Sequence, residues 1–115
     1  MKAFVFIVLL EIALLGTAQA AGVPEKGKQL FEKYGCYECH GYAGQGPFVG
    51  ARIAATSLSL QGFTRYIRRP SGEMPAYTIK VVSDEELADI YAYLKSLPAP
   101  KPSKDIPLLN QLRSK

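Results

Sequence analysis

Histidine, cysteine and methionine are nearly missing from this chain. Its 115 residues hold one histidine, His40, two cysteines, Cys36 and Cys39, and, apart from the initiator, one methionine, Met74. A site built on two histidines is therefore excluded, and a four-ligand zinc centre would need carboxylates to complete it. Charge of one sign is also scarce: the net charge is +4. Aromatic residues are not interleaved with any dense basic run, so no nucleic-acid partner is expected. Neither an internal repeat nor an alternating strand pattern is present, and the expected fold is all-α.

A membrane-length apolar run is lacking as well. The run from Ala3 to Gly16 falls short of the about 20 apolar residues that a helical span needs. Lys2 precedes it, and Ala18-Gln19-Ala20 follows with small residues at both positions that a signal peptidase reads, the pattern of a secretory signal. Residues 1–20 are thus expected to be a signal peptide cleaved after Ala20, giving a periplasmic protein with no stable membrane span. Glu11 interrupts the run, and an uncleaved N-terminal anchor is the alternative. Cleavage leaves 95 of the 115 residues. That is one small domain, 21–100, followed by a Pro/Lys-rich tail, 101–115. A domain of this size has little room for a self-sufficient core, so something is expected to supplement it.

Three segments carry helical period. Pro24 suits a first helical turn, and Leu30, Phe31 and Tyr34 follow at helical spacing until Gly35. Leu60, Phe63 and Ile67 mark a second helix that ends before Pro70. In the third, Ser83 with Glu86 forms a capping box, Leu87, Ile90, Leu94 and Leu97 make one apolar stripe, and Pro98 stops it. Gly41 to Gly50 reads as a loop, and "RRPSGEMPAY" is irregular because Pro70, Gly72 and Pro75 all disfavour helix. The tail is expected to be mobile, although Ile106, Leu108, Leu109 and Leu112 could dock on the domain or on a partner.

All the scarce residues but Met74 fall together in "CYECH", Cys36 to His40. Zinc would have three ligands crowded into five residues, a thioredoxin-like dithiol would need a βαβ pattern, and a disulfide across two residues closes too small a loop to stabilise much. C-x-x-C-H is also the attachment signature of c-type haem, which uses every residue of the motif where the dithiol and the disulfide leave the histidine unexplained. Each thiol adds to one porphyrin vinyl group, and His40 is placed under the iron. By elimination Met74 is the candidate for the opposite axial position: it lies in a Pro and Gly loop, off any apolar stripe, 34 residues beyond His40. Tyr77 and Lys80 are the other possible ligands.

With these motifs the chain resembles the small single-haem class I cytochromes c of bacterial periplasms. "GKQLFEKYGCYECHGYAGQG" is similar to the family's first helix and haem motif, "RRPSGEMPAY" to its methionine loop, and "LADIYAYLKSLP" to its terminal helix. The resemblance implies three to four short helices around one covalently bound haem c. It also implies a crossing of Gly27 and Phe31 against Tyr93. Relatives often carry Gly-Pro-Arg-Leu where this chain has Gly50-Ala51-Arg52-Ile53, and the proline carbonyl accepts the bond from the proximal histidine. Ala51 stands in its place, and Pro47 is the nearest proline. Arg52 matches an arginine placed near a haem propionate.

A His/Met pair leaves the iron no vacant position, so outer-sphere electron transfer is expected, between a dehydrogenase donor and an oxidase or reductase acceptor. No catalytic residue is expected. The competing class is a haem enzyme or gas sensor whose methionine is displaced by a ligand. Lysines and arginines including Lys26, Lys33, Arg68 and Lys95 are candidates for a docking surface.

Overall fold

A computed structural model describes residues 21–46 and 49–113. The expected signal peptide lies outside the described residues. The domain is helical throughout: α1 Pro24–Lys33, α2 Cys36–His40, α3 Leu60–Arg68 and α4 Asp84–Ser96. The described residues contain no strand.

The helix boundaries follow from local chemistry. Pro24 opens α1, and the chain leaves it through Gly35, which sits in the left-handed region at φ 72°. That turn lets α2 start two residues after Tyr34 and sets the cysteine motif directly beneath the end of α1. Ser59 caps α3 by accepting from Gly62 N–H at 3.1 Å. At α4 both halves of the capping box form: Glu86 N–H donates to Ser83 Oγ at 3.1 Å and Ser83 N–H donates to Glu86 Oε2 at 2.9 Å. Leu97 is already extended, as the residue before a proline tends to be.

The two ends of the domain meet where α1 crosses α4. A Cβ on Gly27 would run into the backbone carbonyl of Asp89 and the Cβ of Tyr93. Only glycine permits this approach, and it lets Phe31, fully buried, pack its ring 5.6 Å from that of Tyr93 at an interplanar angle of 58°. Polar contacts fix the same crossing. The α1 N-terminus has no side-chain cap of its own. Instead the buried Asp89 carboxylate accepts from Val23 N–H at 2.8 Å and pairs with Lys26 Nζ at 2.8 Å. The Lys26 ammonium, with help from the Val23 amide, holds the Asp89 carboxyl below its ordinary range.

Phe31, Leu87, Leu94 and Val82 form the fully buried centre, with Leu30, Phe63, Ile67 and Ile90 around them. The tail carries local helical structure. It contains a 3-10 turn, Ser103–Asp105, and a helix α5, Pro107–Arg113. Pro107 is a favourable opening residue, and Asn110 Nδ2 donates back to Lys104 O at 2.7 Å. Among the helices α5 packs only on that turn, and Leu108, Leu109 and Leu112 are exposed, so they do not dock on the domain.

Gly27→Ala tests the crossing. The added methyl meets helix backbone rather than a yielding side chain, so unfolding in denaturant is expected to show a loss of about 2–3 kcal/mol or more. An unchanged midpoint would mean that α1 and α4 are not in such close contact.

Candidate functional site

His40 ends α2, and its ring is oriented from below by the loop that follows. His40 Nδ1 lies 2.6 Å from the carbonyl oxygen of Ala51. A carbonyl can only accept, so Nδ1 carries the proton and Nε2 keeps its lone pair for a ligand. The open question of which carbonyl meets the histidine is thereby answered: the residue in the proline's place makes the bond without being proline. Pro47 lies outside the described residues.

The loop is fastened so that this carbonyl cannot drift. Gly50 N–H donates to Cys39 O at 2.9 Å, and Gly46 N–H donates to His40 O at 2.8 Å. Ile53 and Ala54 N–H both reach Gly44 O, at 2.8 and 2.9 Å, and Ala55 N–H reaches Leu94 O at 2.8 Å. The last of these holds Ala55 at φ 55°, a conformation that costs a non-glycine residue on the order of 1 kcal/mol. Gly50 has a second duty: a Cβ there would lie 2.6 Å from His40 Nδ1 and 3.0 Å from Cys39 O. The imidazole fits because position 50 has no side chain. Nothing in "GARI" read as sequence exposes this steric role.

The two thiols are not joined to each other. Burial pushes the Cys36 thiol up to about 11, so it is neutral at ordinary pH. Among the described residues no three His, Cys, Asp or Glu side chains converge into a metal site, which leaves zinc without its remaining ligands. Cys36 and the half-covered apolar side chains Ile53, Met74, Tyr77 and Leu97 all pack against the same buried core. Finishing the burial of such side chains contributes roughly 1 kcal/mol or more apiece. These features suit a haem: an apolar wall with part of its surface still uncovered, two unpaired thiols, and an imidazole presenting a bare nitrogen.

Met74 is half-buried in the irregular segment between α3 and α4. Tyr77, three residues on, donates its hydroxyl to Tyr34 O at 3.0 Å, just before the cysteine motif. Burial raises the Tyr77 phenol above its ordinary range. Its hydroxyl is therefore engaged as a strut to the end of α1. Arg52 is exposed and donates from Nη2 to Pro98 O at 2.8 Å, tying the loop to the end of α4. That bond uses one of its five donors. Several basic residues weighed for docking are likewise engaged within the chain: Lys26 with Asp89, Lys33 with Glu86, Arg68 with Asp84, and Lys95 with Thr56 O.

Such a centre defines a small c-type cytochrome with covalently bound haem c, an electron-transfer protein. Residues 22–94 match the family described as cytochrome c oxidase, cbb3-type, subunit III, and the chain belongs to that family. It is 32% identical over 111 residues to the Cbb3-type cytochrome c oxidase subunit CcoP of Helicobacter pylori, an alignment covering 90% of this chain and 37% of that protein. It is 36% identical over 86 residues to the 4-cresol dehydrogenase (hydroxylating) cytochrome c subunit of Pseudomonas putida, covering 74% of this chain and 72% of that one. The chain thus spans little more than a third of the CcoP protein, but most of the dehydrogenase subunit. No solved structure matches the chain at a significant level. Among the described residues no helix is long and apolar enough to cross a membrane.

Gly50→Ala should push the His40 ring off its acceptor. The expected result is a loss of about 1–3 kcal/mol in stability together with a shifted reduction potential in the haem-loaded protein. Equal stability and an equal potential would show that the ring is not confined by this glycine.

Proposed function

We propose that the protein is a periplasmic one-electron carrier with one haem c on Cys36 and Cys39, ligated by His40 and Met74. It serves as the cytochrome subunit that accepts electrons from a periplasmic dehydrogenase and passes them towards an oxidase or reductase. The observation that carries the reading is the His40 ring: the Ala51 carbonyl fixes its proton on Nδ1 and leaves Nε2 as a basic, oriented donor.

Haem c supplies a reversible one-electron couple. The protein's part is to hold the donors still while an electron moves. His40 is restrained by the loop bonds of Gly46 and Gly50, and Met74 by the segment that runs into Tyr77. The neutral thioether of Met74 favours the reduced state and raises the potential. Held by both His40 and Met74, the haem would offer substrate no place to bind, which supports a carrier rather than an enzyme. The remaining donors of Arg52 are suited to a propionate. Support for a subunit role comes from the relatives, which are named as cytochrome subunits of an oxidase and of a dehydrogenase. The periplasmic placement rests on the secretory pattern of residues 1–20.

Replacing Met74 with alanine tests the ligand set. The haem-loaded variant is expected to lose the sulfur-to-iron(III) charge-transfer band, to fall in potential, and to bind carbon monoxide readily when reduced. A variant with the native spectrum would remove Met74 from the iron.

A further inference from the structure

The segment 69–83 that carries Met74 has no helix or strand to stiffen it. Its first half is loosely held. Gly72 turns at φ 67° with open space where a Cβ would lie, and the Ser71 hydroxyl, 3.0 Å from that of Tyr66, is the bond nearest to it.

The second half is held at Tyr77 through every polar group that residue has. Its N–H donates to Ile67 O at 3.1 Å, and its hydroxyl donates to Tyr34 O at 3.0 Å. Its carbonyl accepts from Arg68 Nη1 at 2.9 Å. The same guanidinium places Nη2 2.5 Å from Asp84 Oδ1, at the first residue of α4. The Arg68 side chain is only 19% exposed and its bond to the Tyr77 carbonyl is part-buried, so water competes less for that bond than for the one to the exposed Asp84. Between Tyr77 and Met74 lies Pro75, which fixes its own φ and biases residue 74 towards an extended backbone. Little slack is left between the clamp and the sulfur.

We infer that Arg68 is a positioning residue for Met74: its planar fork grips the Tyr77 carbonyl and the Asp84 carboxylate together, and so keeps the thioether on the metal in both oxidation states. The inference rests on Met74 being the ligand. A lysine has a single ammonium on a flexible stem and cannot reproduce a two-pronged grip.

The test compares wild type, Arg68→Lys, Arg68→Ala and Met74→Ala as haem-loaded proteins, at a temperature where circular dichroism shows each folded. Loss of a charge-assisted bond should make carbon monoxide uptake by the reduced Arg68→Ala protein about tenfold faster. The Met74 charge-transfer band should weaken in parallel, with Arg68→Lys lying between. A Met74→Ala protein that loses the band while Arg68→Ala keeps native band and uptake, even if it melts earlier, overturns the positioning role alone. A Met74→Ala protein with the native band overturns the ligand assignment on which it rests. Should Arg68→Ala not fold, Asp84→Asn with Arg68→Lys replaces it: faster uptake in both supports the clamp, and native uptake in both overturns it.

Discussion

The hydrogen bond from His40 Nδ1 to the Ala51 carbonyl is the contact on which the site turns. An imidazole free to rotate about its side-chain bonds would offer either nitrogen in any direction. Tied to a carbonyl, it offers one nitrogen in one direction. Everything near it serves that bond. Gly50 clears the space for the ring, its amide grips Cys39, and Gly44 receives the amides of Ile53 and Ala54. Beyond them, Ala55 and Arg52 bind the loop to Leu94 and Pro98 of the last helix region. The described residues of this loop have no regular secondary structure, yet backbone bonds fasten them to the cysteine motif and to α4.

That loop can be held only because the helices beneath it have nowhere to slide. Gly27 against Asp89, Phe31 against Tyr93, and the Asp89 carboxylate over the start of α1 lock the terminal helices. The end of α1 passes directly into the cysteine motif, so the lock reaches the site through two residues of chain. The core is small, and several apolar side chains packed against it remain half-covered. A covalent haem meets both needs, covering that wall and completing the core of a domain too short to bury enough surface by itself.

Much of this was legible in the sequence. Pro24, Gly35, Ser83, Glu86 and Pro98 punctuate the helices by local rules, and each acts in the structure as those rules require. The scarcity of thiol, imidazole and thioether groups singles out the candidate site residues before any fold is known. What escaped was long-range geometry. Asp89 looks like an ordinary acid on a helix, and its burial depends on where α1 happens to begin. Arg68 in "IRRP" looks like a solvated cation, and only the meeting of α3, the methionine segment and α4 gives it two partners. Ala51 was a question of geometry that no residue type could answer, since every residue has a carbonyl. The tail's local helix was also not marked in the sequence, although Pro107 and the leucines after it are enough for two helical turns.

The central claim is that a single haem is bonded through Cys36 and Cys39, and the mass of the purified protein after unfolding in acid tests it most directly. The account predicts a polypeptide heavier by one haem, reduced to the bare chain mass when both cysteines are changed to serine. Bare chain mass for the wild-type protein, matured in cells that attach haem to other cytochromes, would contradict it.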